Sequence, residues 1–254
     1  MTPDNAFTIA VVVFLCLVGG ALAGMYVRTL LPEHHRTKET EDAIRLAMGV
    51  VATMSALVIG LLIASAKTSF DMKDTEVKQL ASDLILLDRQ LAQYGPETND
   101  ARSLLRRYTV YKIDSAWPDE AGHAPVSADG WRLLESLQDR LRVLTPATDA
   151  QRWLQAKALQ ISSDAAQTRW LLQVQTGTTI PTPFLIVVIS WLTLIVSSFG
   201  LFAPRNATAV TALFLCALSI AGSIFLILEM AKPFSGLISI SSAPMRDALA
   251  LLGE

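Results

Sequence analysis

Few residues in this chain combine the types and the spacing that catalysis or metal binding requires. Glu33-His34-His35 resembles a set of metal ligands, but adjacent histidines on one loop rarely bind the same ion. His123 stands alone in the longest predicted loop. The sequence contains no nucleophile elbow, phosphate-binding loop, zinc-protease motif or dinucleotide fingerprint. We therefore predict no catalytic residue, no metal site and no cofactor, and a protein that is not an enzyme.

Glu229 is the one acidic residue that lies within an apolar segment, close to its end. An ionisable group at membrane depth is costly and is commonly functional, so Glu229 is a candidate site residue. The alternative is an interfacial carboxylate that pairs with Lys232 or with water. An intramembrane enzyme would need a second acid, or a nucleophile beside a base, and the apolar segments supply neither partner for Glu229.

The apolar residues of the chain are concentrated in particular segments. The chain is 52% hydrophobic and 17% charged, whereas soluble domains are about 25% charged. Residues 67–181 contain 14 Lys or Arg and 15 Asp or Glu, about two thirds of all charged residues. The net charge of −2 does not favour nucleic acid as a partner. This distribution predicts an integral membrane protein, surrounded by membrane lipid, with one soluble insert.

Four apolar segments are long enough to cross a hydrocarbon core of about 30 Å. We predict transmembrane helix one at about 6–27, helix two at about 44–66, and a hairpin of helices three and four within 182–231. Residues 67–181 form the insert, and residues 232–254 form a tail with a short amphipathic helix. No window alternates with period two. The predicted fold is an all-α integral membrane protein with four transmembrane helices and a helical-bundle soluble insert between helices two and three.

The second span is predicted to continue into the insert as one helix from Ile44 to Tyr94, because no Gly or Pro separates Ala66 from Gly95. Thr40 is the expected cap at its start. Such a helix would link a membrane event to the soluble insert. Beyond the membrane, side chains at heptad spacing predict a buried seam that contains one charged residue, Lys73: Phe70, Val77, Leu80, Leu84, Leu87, Leu91 and Tyr94.

Small side chains form a ridge along the membrane half of this helix, at Ala52, Ala56, Gly60 and Ala64. A ridge of this kind packs on a neighbouring helix or lines a narrow pore without blocking it, and packing is the commoner use. If the helix lines a pore, the candidate lining residues are Gly49, Thr53, Ala56, Gly60, Ile63 and Lys67. In the first span, Gly20 and Gly24 form a pair that allows close approach of another helix.

Four stretches of the chain are distinctive as strings of residues: LPEHH, VATMSALVIGLLIASAKTSFD, LLDRQLAQYGPE and LEMAKPFSGLISISSAPMRDAL. They resemble the bestrophin-like domain-of-unknown-function family of bacterial membrane proteins. The resemblance extends over nearly the whole chain, and the tail is its most specific part.

The span order and the long connection between spans two and three are also similar to those of true bestrophins, which are pentameric anion channels. This resemblance implies a homo-oligomer, a pentamer by analogy, with helix two around an ion-conducting pore and ions as candidate partners. The chain departs from bestrophins because aliphatic and small residues replace the neck aromatics between Met48 and Ala66. It also lacks the acidic calcium-binding cluster after the last span. The alternative function is a non-conducting scaffold or signalling protein whose insert binds a partner.

Two arguments disagree about the side of the membrane on which the insert lies. The loop at residues 28–45 carries four Lys or Arg, which by the positive-inside rule places this loop in the cytoplasm and the insert outside. The bestrophin analogy instead places both termini and the insert in the cytoplasm of a bacterium, with the spans in the inner (plasma) membrane. We adopt the analogy.

Overall fold

The computed structural model describes residues 4–32, 37–118, 130–174, 182–204 and 206–253. These residues form eight α-helices and no β-strand, which confirms the predicted all-α fold. A single turn of 3₁₀-helix joins the second and third helices. The helices are α1 (Asp4–Leu30), α2 (Lys38–Tyr94), α3 (Asn99–Ala116), α4 (Gly130–Val143), α5 (Asp149–Val174), α6 (Thr182–Phe202), α7 (Ala207–Met230) and α8 (Ala243–Leu251).

Four of these helices, α1, α2, α6 and α7, are long and apolar enough to cross a membrane. The predicted membrane protein with four spans is therefore confirmed. The predicted continuity of the second span with the insert is also confirmed, because α2 is one helix of 57 residues. At about 1.5 Å per residue it is about 85 Å long, whereas the hydrocarbon core is about 30 Å thick. More than half of α2 therefore belongs to the aqueous part of the chain.

The start of α2 differs from the expectation. Thr40 was expected to cap the helix, but the helix begins at Lys38, and the Thr37 hydroxyl accepts a hydrogen bond from the backbone N–H of Thr40 at 3.3 Å. Thr37 therefore occupies the capping position. Glu39 and Glu41 lie in the first turn, where the helix dipole favours negative charge.

Residues 1–70 and 179–238 form the membrane unit of the chain. Its core is a cluster of buried aliphatic side chains to which α1, α6 and α7 all contribute, including Val13, Leu17, Val188, Leu192, Val196, Ala217 and Ile224. The rings of Phe14 and Phe214 meet edge to face with centroids 5.3 Å apart. Because lipid is as apolar as these side chains, close packing rather than exclusion of water holds such helices together.

Helices α1 and α6 run parallel and approach closely through glycines. Gly20 faces Thr193 and Ser197, Gly24 lies directly on the backbone of Ser197, and Gly200 of α6 lies on the backbone of Ala21. The prediction that Gly20 and Gly24 allow close approach of another helix is confirmed, and that helix is α6.

Residues 71–178 and 239–254 form a second compact unit, which contains the insert and the end of the tail. In it α3 packs on α4, α4 on α5, and α8 on α3. The heptad seam predicted for α2 is confirmed from Lys73, which is 4% exposed, through the buried side chains from Val77 to Tyr94. Phe70, its predicted first member, is only half-buried. The facing core residues include Leu105, Tyr108, Leu134, Leu137, Leu141, Ala158, Ile161 and Met245.

Polar contacts fix the ends of the helices in this second unit. Arg102 of α3 donates two hydrogen bonds, each of 2.8 Å, to the two carboxylate oxygens of Asp88 in α2. The indole N–H of Trp117 donates to the carbonyl oxygen of Ile240 at 2.8 Å. Arg106 donates to the carbonyl oxygen of Leu252 at 2.8 Å. The tail helix α8 therefore docks on its own chain.

Candidate functional site

The membrane half of α2 contacts its own chain along one stripe only. Ser55 and Ala66 are buried, and Val58, Ile59 and Leu62 pack against the core cluster of the membrane unit. In its most apolar stretch 6% of the residues are buried, whereas the corresponding values for α1, α6 and α7 lie between 22% and 28%. Of the four spans, α2 therefore has the most surface left for lipid or for another protein copy.

All six candidate pore-lining residues lie on this uncovered surface. The side-chain positions of Gly49, Thr53, Ala56, Gly60, Ile63 and Lys67 are exposed in the single chain. A Cβ atom added to either glycine would meet nothing within 4 Å. The spacing of four and three residues places them on one stripe of the helix. The single chain thus presents a narrow strip of mostly small side chains.

Larger aliphatic side chains occupy a separate stripe, roughly a quarter turn around the helix at 3.6 residues per turn. Leu46, Val50, Leu57 and Leu61 are all between 59% and 77% exposed. The uncovered surface of α2 is therefore divided by side-chain size. Large apolar groups suit contact with a neighbouring helix or lipid, whereas the small stripe leaves space beside the backbone.

Charged residues lie at both ends of the membrane half of α2. Arg45 pairs with Glu41 one turn earlier, so that end of the span carries little net charge. At the other end the Lys67 ammonium lies 6.0 Å from the centre of the Phe70 ring, within the range of a cation–π interaction. Each end of the apolar part of α2 therefore carries a basic residue, Arg45 at one and Lys67 at the other.

Glu229 is buried, with 4% of its surface exposed, and its carboxylate accepts a hydrogen bond from the backbone N–H of Leu237. The partner proposed from sequence was Lys232 or water. Gly236 adopts φ +110° and leaves no space for a Cβ beside the Glu229 carboxylate. Glu229 therefore holds the loop after α7 against the end of that helix, and the turn requires glycine at 236.

Besides Asp88, two charged side chains in the aqueous half of α2 are buried, Lys73 and Asp83. Burial lowers the pKa of the Lys73 ammonium, and the neighbouring Glu76 carboxylate acts in the opposite direction. Burial raises the pKa of the Asp83 carboxyl, the hydrogen bond from Gln79 opposes this, and Asp164 of α5 adds to it. These shifts arise from packing of the seam and bring no nucleophile or acid–base pair together.

Within the described ranges no three His, Cys, Asp or Glu side chains are grouped so that they could hold a metal ion. Glu33, His34, His35 and His123 lie outside the described residues. Trp117 is buried, whereas Trp153 on α5 is 62% exposed. The described residues therefore offer a membrane helix with an exposed small-residue stripe.

Comparison with known proteins identifies relatives of this chain. A family model described as the bestrophin-like domain matches residues 15–245. A crystal structure of a single-site variant of a bacterial bestrophin homologue from Klebsiella pneumoniae aligns with a TM-score of 0.69 and 13% identity, covering 98% of this chain and 99% of that chain. A second structure of the Klebsiella pneumoniae homologue, solved by zinc phasing, aligns with a TM-score of 0.66 and 13% identity, covering 95% and 96%.

A third crystal structure, described as a membrane protein, aligns with a TM-score of 0.64 and 12% identity over 96% of this chain and 99% of that chain. No curated protein sequence matches the chain. At such low identity the structural likeness shows a shared fold, and the family model supplies the assignment. The chain belongs to the bestrophin-like family.

Proposed function

We propose that this chain assembles into a homo-oligomeric ion channel in which α2 lines the pore. The observation that carries the proposal is the exposed stripe of small side chains on α2, in a chain whose fold is shared with bacterial bestrophin homologues. By analogy with bestrophins the oligomer is a pentamer. A ring with closed cyclic symmetry places the same face of every copy of α2 towards the axis.

The division of the α2 surface by side-chain size supports this arrangement. In a ring, Leu46, Val50, Leu57 and Leu61 would pack against the neighbouring copy, while Gly49, Ala56 and Gly60 would face the axis. Small side chains at the axis keep a narrow path open where larger ones would close it. The limited burial of α2 within one chain is then explained, because other copies supply the missing contacts.

Lys67 gives the proposed pore its charge selectivity. One copy of Lys67 from each subunit would form a ring of positive charge at the end of the span, and basic rings favour anions. We therefore expect an anion preference that depends on Lys67.

The test is ion flux through purified protein in liposomes. Lys67→Glu is expected to shift the anion-to-cation permeability ratio towards cations by about tenfold, equivalent to about 1.4 kcal/mol. Lys78→Glu is the matched control, because Lys78 is an exposed lysine of the insert whose partner is Asp74 at 2.6 Å. The control should retain the wild-type ratio. Absence of flux from a well-folded oligomer would refute the channel.

The second candidate is a non-conducting scaffold or signalling protein, and the observation in its favour is the exposed indole of Trp153. Exposed tryptophan is characteristic of protein–protein contact sites. Imaging of the detergent-solubilised protein distinguishes the two candidates. A closed ring with a central opening bounded by α2 supports the channel, whereas a monomer or a dimer without an opening supports the scaffold.

We place the spans in a bacterial inner membrane with both termini and the insert in the cytoplasm. Four spans return the chain to the side on which it started, so the termini and the insert share one side. Cys16 and Cys216 lie within apolar helices, which leaves the insert free of native thiols. A Ser163→Cys variant, with its thiol on an exposed position of α5, should react with an impermeant thiol reagent only after cell lysis. Labelling in intact cells would reverse the orientation.

A further inference from the structure

A cavity of about 210 Å³ lies in the membrane unit where the end of α1, the start of α2 and the end of α6 meet. It is separate from the exposed stripe of α2 and plays no part in the proposed pore. Its walls are both polar and apolar, and they are formed by Arg28, Leu31, Thr40, Glu41, Ile44, Leu201 and Phe202.

The position of this cavity along the helices is that of a membrane interface. Arg28 follows directly on the apolar part of α1, Ile44 begins the apolar part of α2, and Phe202 is the last residue of α6. Because α1 and α6 run parallel, their ends reach the same level, and α2 begins there in the opposite direction. The polar walls therefore lie at headgroup depth, and the apolar walls face the beginning of the acyl region.

Arg28 is held in place to present its guanidinium to the cavity. Its Nη1 donates to the carbonyl oxygen of Ala203 at the end of α6, which uses one of the five N–H donors of the group. The planar arrangement of the other donors matches the oxygens of a phosphate. The Thr40 hydroxyl, 3.1 Å from the Thr37 hydroxyl, adds a further hydrogen-bonding group to the same wall.

Glu41 determines which kind of phosphate-containing ligand the cavity favours. Glu41 lines the same cavity as Arg28, and its negative charge disfavours a second anionic group there and favours an ammonium group. Glu41 also pairs with Arg45, whose side chain is 63% exposed. Arg28 and Glu41 are the two charged residues of the lining, and their charges are opposite. A ligand with one phosphate and one ammonium group matches this distribution better than an anion alone.

The size of the cavity sets a further limit on the ligand. A volume of 210 Å³ equals about seven water molecules at about 30 Å³ each in the liquid. Pockets for whole drug-sized ligands usually measure about 300–1,000 Å³. The cavity therefore accepts a headgroup rather than a complete lipid, and the acyl chains would extend along the apolar surface outside it.

We propose that this cavity binds the phosphoethanolamine headgroup of a bilayer lipid, with the phosphate on Arg28 and Thr40 and the ammonium on Glu41. The site stands at the helix ends that surround the start of α2. A bound headgroup would fix the position of α1, α2 and α6 relative to one another at this end of the membrane unit.

The test is native mass spectrometry of the delipidated full-length protein, titrated with phosphatidylethanolamine, phosphatidylglycerol and inorganic phosphate. Wild-type protein is expected to bind phosphatidylethanolamine at least fivefold more tightly than phosphatidylglycerol. Glu41→Gln should remove this preference. Arg28→Gln should weaken binding of both lipids at least fivefold. Arg142→Gln, which alters an exposed ion pair of the insert with Asp139, should bind as wild type.

A second variant covers the case in which Arg28→Gln fails to fold, since Arg28 also holds Ala203. Leu31→Trp fills the cavity from its apolar side and should reduce phosphatidylethanolamine binding while all polar groups remain. Equal binding of the two lipids by wild type, or unchanged binding by the Glu41 and Leu31 variants, would overturn the proposal. Displacement of the lipid by inorganic phosphate at similar concentration would show a free-phosphate site instead.

Discussion

Gly24→Ala is expected to destabilise the membrane unit by about 2–3 kcal/mol, which is the usual cost of overpacking a well-packed core. The added Cβ would lie on the carbonyl oxygen of Ser197 and 2.9 Å from the backbone nitrogen of Leu201. Backbone atoms cannot rotate away as a side chain does, so α1 and α6 would have to separate. Thermal unfolding in detergent should show a melting temperature lower by roughly 5–10 °C.

Gly19→Ala is the matched control, because it lies in the same helix and a Cβ there would meet nothing within 4 Å. Alanine is the better helix former by up to about 1 kcal/mol, so this variant should melt at the wild-type temperature or slightly above it. Gly200→Ala approaches the same contact from α6, where the Cβ would lie on the carbonyl group of Ala21, and should resemble Gly24→Ala. Equal melting temperatures for the Gly19 and Gly24 variants would contradict this account of the interface.

Features that depend on local periodicity could be predicted from the sequence. The four spans are long runs of apolar residues, and the seam of α2 repeats every seven residues, so both follow from residue type and spacing alone. The pairing of Gly20 with Gly24 likewise signals a helix contact. The sequence did not identify α6 as the partner, because the complementary surface of Ser197 and Gly200 carries no distinctive pattern.

Features that depend on pairs distant in the sequence could not be predicted. Glu229 was recognised as a candidate, but its partner is a backbone N–H presented by a turn whose shape depends on the positive φ of Gly236. The cavity lined by Arg28 lies between the neighbouring ends of α1 and α2 and the end of α6, which follows more than 150 residues later in the chain. Neither arrangement changes the local pattern of apolar and polar residues, so only the tertiary structure reveals it.

The small residues of α2 could be recognised from the sequence, but the surface that they contact could not. Its small residues indicated a close contact or a pore, and both readings remained open because the sequence does not reveal which faces a chain covers by itself. The single chain covers the stripe that includes Ser55 and Ala66 and leaves the stripe of Ala56 and Gly60 exposed. The ridge at Ala56 and Gly60 is therefore left open by its own chain, and it is available either for packing on another copy or for the axis of an oligomer.

The largest single loss of stability is expected from Asp88→Ala in the second unit. Asp88 is 2% exposed and receives both hydrogen bonds of the Arg102 guanidinium across α2 and α3. The hydrogen bond with Asp88 is the largest cause of the raised Arg102 pKa. Removing the carboxylate leaves the guanidinium without its partner in a largely buried site, which costs about 3–5 kcal/mol for pairs of this type. Chemical unfolding of the full-length protein in detergent, followed by circular dichroism, should show this loss.

Asp139→Ala is the matched control, because it breaks an exposed ion pair with Arg142 in which both side chains are more than 60% exposed. Exposed pairs contribute about 0–1 kcal/mol, so the control should unfold nearly as wild type does. The double variant Asp88→Leu with Arg102→Met should recover much of the loss, because apolar groups of similar volume can replace a buried pair. If Asp88→Ala unfolds like Asp139→Ala, the pair does not hold α2 and α3 together.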